Sequence, residues 1–141
     1  MTTVLVPVDG SPSATRAVDW VARTLRDRRD VRVHLLHVQP AMDAWEVRSH
    51  LGADDLARFQ SSADAAVLEP AAATLRAAGL AVDTHGAAGD VAPQVQDHVH
   101  RLGCDAIVMG TRGLGTVQTL LLGSTALKVL HLVDVPVTLI K

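Results

Sequence analysis

Three glycines and a serine near the end of the chain have a spacing that could hold a phosphate group. Gly110, Gly113, Gly123 and Ser124 lie in the stretch GTRGLGTVQTLLLGST, residues 110–125. Glycine has no Cβ, so its main chain can approach a ligand closely. The first amides of a helix, together with its dipole, favour an anion. The spacing therefore predicts a phosphate site, and a glycine-rich loop that only connects a strand to a helix stays open as the alternative.

Two well-known phosphate motifs do not match this stretch. A P-loop needs a lysine and then Ser or Thr directly after its second glycine, but Thr116 and Val117 follow Gly115. The dinucleotide fingerprint needs a third glycine where Gln118 stands, and it should follow the first strand of the fold. A phosphate site here would be built without a lysine.

The elements that must position these residues can be read from the apolar pattern. Five short runs rich in Val, Ile or Leu have strand length, at residues 3–8, 31–38, 80–85, 106–109 and 135–140. Helical spacing separates them, with starts predicted at Ser11-Pro12, after Asp90 and at Ser124, which is expected to cap the last helix. Residues 43–78 read as helical around 56–68 and 71–77, and Pro70 predicts a kink or a new helix start.

Strands that alternate with helices predict βαβ units and a parallel sheet covered on both faces. We therefore expect an α/β fold: one domain over residues 1–141 with a doubly wound five-stranded sheet and helices on both faces. In such sheets, ligands bind beyond the carboxyl ends of the strands, near the point where the strand order reverses. That rule selects residues 9–11, residues 39–40 and the stretch from Gly110 onward.

Composition excludes several classes of function. The net charge of −2 lacks the basic field that a nucleic-acid partner needs, and no apolar stretch approaches the length of about 20 residues that spans a membrane. The single cysteine, Cys104, precludes an internal disulfide and favours the cytoplasm, with a buried structural thiol. The seven histidines show no metal-binding spacing, and no residue set is committed to general-base catalysis.

The chain resembles the universal stress protein family, in the ATP-binding branch whose motif is Gly-2x-Gly-9x-Gly-(Ser/Thr). That motif is intact at Gly110, Gly113, Gly123 and Ser124, and VLVPVDGSPSATRAVDWV, VHLLHV, CDAIVMGTRG and VPVTLIK are also similar to family segments. The resemblance implies an adenine nucleotide α-hydrolase-like sheet with strand order 3-2-1-4-5. It also implies a cytoplasmic stress-response protein that binds ATP, with AMP possible, together with Mg²⁺, and acts as a dimeric sensor or regulator.

Site residues follow from the resemblance by position. It implies that Pro7, Val8 and Val38 line the adenine pocket, and that Asp9 meets the ribose hydroxyls or the adenine side. The ribose and first phosphates would be held by Met109, Gly110, Arg112 and Gly113, and the outer phosphates by Gly123, Ser124 and Thr125. For Asp9 alone, an Asx-turn that leads into the first helix is the competing interpretation.

The C-terminal run predicts how two copies would meet. Pro136 favours an edge strand, and an exposed apolar edge needs to be covered or paired. Pairing of Val135–Ile140 with the same strand of a second copy would give a twofold dimer, whereas cover by the chain itself stays open. Three alternatives to an ATP-binding regulator also stay open: slow ATP hydrolysis, AMP or cyclic AMP as the ligand, and a ligand-free interaction module.

Overall fold

A computed structural model describes residues 1–41, 52–112 and 122–141. Throughout these residues, strands alternate with helices. The strands are β1 (Thr2–Pro7), β2 (Val31–Gln39), β3 (Ala81–Ala88), β4 (Ala106–Gly110) and β5 (Val137–Ile140). The described helices are α1 (Pro12–Thr24), α2 (Ala53–Ala77), α3 (Val91–Leu102) and α4 (Ser124–Leu132). None of these helices is long and apolar enough to cross a membrane.

All strand pairs are parallel, and the sheet has the order β3-β2-β1-β4-β5. The predicted α/β class, the five parallel strands and the order 3-2-1-4-5 are thus confirmed. The chain moves from β1 toward β3 in one direction and from β4 toward β5 in the other. The strand order therefore reverses between β1 and β4, which is the place where open α/β sheets bind ligands.

The sheet buries a separate apolar layer on each face because neighbouring side chains of a strand point to opposite sides. Val4 and Val6 of β1 and Val8, which follows the strand, pack with α1 and α2, whereas Leu5 packs with α3 and α4. In β2, Val33 and Leu35 join the first layer. With helices on both faces, the central strands need no polar side, which explains the nearly continuous apolar sequences of β1 and β4.

Local signals in the sequence fix where helix α1 begins and where α3 ends. Ser11 is the N-cap of α1: its Oγ accepts a hydrogen bond from the amide of Ala14 at 3.1 Å, and Pro12 takes the first helical position. This start was predicted from the Ser-Pro pair. Helix α3 ends at Gly103, whose φ of 62° is a left-handed conformation that glycine adopts readily.

Helix α2 differs from the expectation at Pro70. The new helix start considered there is wrong, because a single helix of 25 residues runs through the proline. Proline has no amide hydrogen and crowds the preceding turn, so it removes one backbone hydrogen bond from the helix. Leu68, Ala72 and Leu75 nevertheless face the sheet and are at most 5% exposed. Tertiary burial on both sides of Pro70 therefore outweighs its local cost.

Replacing Pro70 with alanine should stabilise the protein. An amide at position 70 would restore the missing helical hydrogen bond, and we expect the free energy of unfolding to rise by about 1–3 kcal/mol in urea denaturation. Pro12→Ala is the matched control, since proline at the first helical position loses no hydrogen bond. A gain for Pro12→Ala that equals the gain for Pro70→Ala would contradict this explanation.

Candidate functional site

The turn between β1 and α1 forms one wall of the candidate site. The Asp9 Oδ1 atom accepts a hydrogen bond from the Ser11 amide at 2.9 Å, and Gly10 has a φ of 80°. This is an Asx-turn that leads into α1, which was the alternative to ligand binding for Asp9. One carboxylate oxygen, Oδ1, therefore has the role that this alternative predicted. No described residue donates a hydrogen bond to Oδ2, and that oxygen can still accept from a ligand.

Two buried serines tie this turn to the segment that follows β4. The amide of Arg112 donates to the Ser13 Oγ at 3.3 Å, and the Ser11 Oγ lies 3.5 Å from the carbonyl oxygen of Arg112. Ser11 and Ser13 are 2% and 3% exposed. The sequence interpretation used Ser11 only as a cap and missed Ser13, because a contact over 99 positions leaves no trace in local spacing.

Gly110 has a packing role that is independent of any ligand. A Cβ built at this position would collide with the Oγ and with the main-chain carbonyl group of Ser13. Only glycine therefore lets the first turn of α1 lie against the end of β4. The close approach brings the start of α1 and the end of β4 to the same point of the sheet edge.

The two ends of the glycine-rich stretch meet through the main chain. The Gly123 amide donates to the Thr111 carbonyl oxygen at 2.7 Å, and the Thr111 amide donates to the Ile140 carbonyl oxygen at 3.0 Å. Thr111 is 6% exposed. These bonds place the start of α4 beside the end of β4. Gly113, also predicted to contact the ligand, lies outside the described residues.

Helix α4 starts at Ser124 as predicted, but its cap differs from the sequence expectation by one residue. Gly123 is the N-cap, and no side chain makes a capping hydrogen bond there, so the predicted capping role of Ser124 is wrong. Ser124 is instead the first helical residue and is exposed, and Thr125 is half-buried. Amides in the first helical turn have no partner within the helix. Together with the helix dipole, they offer donors to an anion.

The apolar residues predicted for the adenine pocket, together with Met109, which is predicted to contact the ribose and first phosphates, divide between the two faces of the sheet. Val38 and Met109 pack in the layer beneath α3 and α4, and Pro7 shares that face because it alternates with Val6 and Val8 along β1. The side chain of Val8 points to the opposite layer, among α1 and α2, and is 7% exposed. Val8 thus presents only main-chain atoms to the α3 and α4 side.

A polar network that the sequence interpretation missed holds the carboxyl end of β2. The Nδ1 atom of His37 lies 2.6 Å from the Asp64 Oδ1, and the Gln39 Nε2 donates to the same oxygen at 3.0 Å. The Gly89 amide donates to the Gln39 carbonyl oxygen at 2.8 Å. Strand β3 and helix α2 are thereby fixed to β2 on either side of Val38.

Charge in the candidate site is sparse. Arg112 is exposed, and Asp9 is half-buried. Within the described ranges, no three His, Cys, Asp or Glu residues are arranged to hold a metal ion. Cys104 is buried, and burial raises the pKa of its thiol to about 11, so it stays protonated and unreactive at neutral pH. The described residues therefore offer main-chain amides, one carboxylate oxygen and apolar surface.

An α/β sheet with an uncapped helix start at its switch point is typical of nucleotide-binding domains. The chain belongs to the universal stress protein family, whose model matches residues 1–141. Universal stress protein YxiE of Bacillus subtilis (strain 168) is 26% identical over 147 residues, which cover 98% of this chain and 97% of that protein. Universal stress protein G of Escherichia coli O157:H7 is 27% identical over 154 residues, with 99% and 98% covered.

Solved structures have the same fold. A hypothetical protein superposes with a TM-score of 0.82 at 24% identity over 99% of this chain and 95% of that chain. A family member from Arabidopsis thaliana with AMP bound has a TM-score of 0.71 at 24% identity, over 100% and 92%. A universal stress protein in complex with cAMP has a TM-score of 0.68 at 20% identity, over 99% and 96%.

Adding one methyl group at Gly110 should destabilise the fold. In Gly110→Ala the Cβ meets the main chain of Ser13, which cannot move aside as a flexible side chain would. We expect the free energy of unfolding to fall by about 1–3 kcal/mol, as measured in urea. At Gly52 an added Cβ meets only the Asp55 Oδ2, at 3.9 Å. Gly52→Ala should therefore cost less, and equal losses for the two variants would refute the packing role of Gly110.

Proposed function

We propose that the protein binds an adenine nucleotide between the β1–α1 turn and the start of α4, with ATP as the first choice of ligand. The observation that carries the proposal is the bond from the Gly123 amide to the Thr111 carbonyl oxygen. It brings an uncapped helix start next to the end of β4, at the switch point of the sheet. A phosphate group placed there would accept hydrogen bonds from the amides of Ser124 and Thr125.

The other parts of the nucleotide would follow from this anchor. The adenine ring would lie against the face shared by Pro7, Val38 and Met109, near the main chain of Val8. The Oδ2 of Asp9, to which none of the described residues donates, would accept a hydrogen bond from a ribose hydroxyl, since a carboxylate repels phosphate.

The glycine-rich stretch would then surround the phosphates. Gly110, Arg112 and Gly113 would contact the ribose and the first phosphate, and Gly123, Ser124 and Thr125 the outer phosphates. The AMP and cAMP complexes of structurally similar proteins support an adenine nucleotide as the class of ligand.

ATP, AMP and cyclic AMP differ mainly in the number and negative charge of the phosphate groups that the start of α4 would bind. Mg²⁺ commonly binds through nucleotide phosphates and only one or two protein carboxylates. Among the described residues of the site, Asp9 offers one carboxylate oxygen, so most ligands of Mg²⁺ would have to be phosphate and water oxygens. Mg²⁺ would therefore enter with ATP and neutralise part of its charge. Binding would change the surface around the start of α4 that a partner protein contacts, which is the proposed sensor role.

We also propose that residues 1–141 act as a single cytoplasmic domain. The family model spans all of these residues. Cys104 is a free, buried thiol, which is compatible with a reducing compartment.

Nucleotide binding should raise the melting temperature, because a ligand that binds only the folded state stabilises it. At 100 times the Kd, the free energy of unfolding should rise by about 2.7 kcal/mol. Thermal melts with ATP–Mg²⁺, AMP and cyclic AMP rank the ligands. In Gly123→Val, the new side chain would crowd the anion position, and we expect affinity to fall at least tenfold.

The control for Gly123→Val is Gly52→Val. Gly52 is the N-cap of α2 with φ −65° and ψ 161°, nearly the conformation of Gly123 with φ −69° and ψ 157°. Both substitutions therefore place the same side chain on the same kind of helix start. Gly52→Val should keep the nucleotide-induced shift. An absent shift for the unaltered protein at millimolar concentrations of all three nucleotides would rule out the proposed function.

The proposed homodimer uses the free edge of β5. The Ile107 amide donates to the Pro136 carbonyl oxygen and the Thr111 amide to that of Ile140, so alternate residues of β5 bond to β4. The amides and carbonyls of Val137 and Leu139 must then point away from the sheet. On α4, the helix that precedes β5 in the chain, Leu127 and Leu130 are 46% and 41% exposed. A second copy that pairs along β5 would cover both features.

Proline at position 139 should separate the dimer. Leu139→Pro removes an outward amide hydrogen, whereas Leu139→Ala removes the same packing against the core and keeps that hydrogen. Sedimentation equilibrium should give twice the chain mass for the unaltered protein and for Leu139→Ala, and one chain mass for Leu139→Pro. A monomeric unaltered protein, or a dimeric Leu139→Pro variant, would contradict pairing along β5.

A further inference from the structure

Three imidazole rings meet between β2, β3 and α3, away from the candidate nucleotide site. The Nδ1 atom of His34 lies 2.9 Å from the Nε2 atom of His85, and the centroids of these two rings are 5.0 Å apart. The ring of His98 meets that of His85 edge-on at 5.8 Å. His34 and His98 are 7% and 4% exposed. Two buried imidazole rings that both contact a third, half-buried ring are unusual for a cluster with no metal-binding geometry.

The contact between His34 and His85 limits how many protons the pair can hold. An N–H···N hydrogen bond needs a hydrogen on one nitrogen and a lone pair on the other. One added proton leaves that bond intact. When both rings are protonated, two N–H groups face each other across 2.9 Å, and the contact has to break. The pair therefore cannot be fully charged in the folded arrangement.

His98 contacts two neighbours on α3 through its two ring nitrogens. Its Nδ1 lies 2.7 Å from the Gln94 carbonyl oxygen, so this nitrogen carries the hydrogen. Its Nε2 lies 3.0 Å from the Nη2 atom of Arg101, which can only donate. A second hydrogen on His98 would point at the guanidinium group and remove this hydrogen bond.

The charged groups around the cluster come from all three elements. Arg32 on β2 forms an ion pair with Asp83 on β3 at 2.7 Å, and Arg101 on α3 is paired with Asp97 at 2.7 Å. The Oδ2 atom of Asp83 lies 3.7 Å from the Nδ1 atom of His34 and favours its protonation. Arg32 opposes the protonation of His34, and Arg101 opposes that of His85, so that both charges lower the pKa of the ring concerned. Because Asp97 is paired with Arg101, Asp83 is the nearby carboxylate that can stabilise a charged His34. Asp83 is itself already paired with Arg32.

We propose that His34, His85 and His98 form an acid-sensitive latch that holds α3 and the edge strand β3 on the sheet at neutral pH and releases them as the pH falls. At its carboxyl end, β3 is followed by Gly89. The Gly89 amide donates a hydrogen bond to the Gln39 carbonyl oxygen, at the carboxyl end of β2. Opening the latch would therefore loosen the support of that sheet edge, and so of Val38.

The direction of the pH effect follows from the pKa values. Burial, as the largest cause, lowers the pKa of both His34 and His85, and the other two rings add to the effect at His85. The unfolded chain then binds protons more readily than the folded chain below about pH 6.5. The stabilisation is complete above that pH, and it is lost progressively as the pH falls toward the lowered pKa values.

Thermal melts at pH 7.5 and pH 5.5 test the latch. We expect the Tm of the unaltered protein to fall by about 3 °C or more. His85→Gln keeps a polar side chain but removes the titrating pair, so less than half of this fall should remain. The matched control is His100→Gln on the exposed face of the same helix, which should behave as the unaltered protein does. An unchanged fall in Tm for His85→Gln would overturn the proposal.

Hydrogen exchange at the same two pH values locates the opening. The protection of α3 amides, divided by that of α1 amides in the same sample, should drop at pH 5.5 in the unaltered protein and in His100→Gln. If His85→Gln does not fold, an NMR titration of the histidine ring protons in the unaltered protein decides. The rings of His34 and His85 should titrate below pH 6.5, and the protonation of one ring should affect that of the other. Uniform loss of protection, or all seven rings titrating independently near pH 6.5, would overturn the latch.

Discussion

The hydrogen bond from the Gly123 amide to the Thr111 carbonyl oxygen is the contact on which the candidate site depends. Thr111 is itself held to the sheet by the Ile140 carbonyl oxygen, so the start of α4 is fixed to the core through two main-chain bonds. On the other side, Gly110 admits α1 because it has no Cβ to strike Ser13. Both helix starts thereby converge at the switch point, and an anion could meet α4 there without any lysine.

Much of this architecture could be predicted because it rests on periodicity and on local signals. Apolar runs of strand length gave all five strands, and the Ser11-Pro12 pair marked the start of α1. The sequence wrongly suggests a new helix start at Pro70, because proline has a local cost in a helix. The burial that outweighs this cost depends on the folded chain and cannot be read from local sequence. The cap of α4 was misassigned by one residue, since glycine and serine are both accepted as N-caps.

The site was harder to predict wherever a contact joins distant segments. No spacing in the sequence couples Ser13 to Arg112, or His37 to Asp64. The histidines illustrate the same point: taken one at a time, each reads as an ordinary surface or core residue. The parallel pairing of β2 with β3 and the packing of α3 then bring His34 and His85 into contact. An acid-sensitive latch thus arises from topology, independently of the glycine spacing that suggests a nucleotide.

The central claim is that the start of α4 receives the phosphate groups of an adenine nucleotide. The most direct measurement is an NMR titration of backbone amides with ATP–Mg²⁺ and with AMP. The account predicts saturable shifts that are largest at the amides of Ser124 and Thr125 and extend to Gly110, because these groups would face the ligand. Saturable binding that leaves the amides of Ser124 and Thr125 unmoved would contradict it.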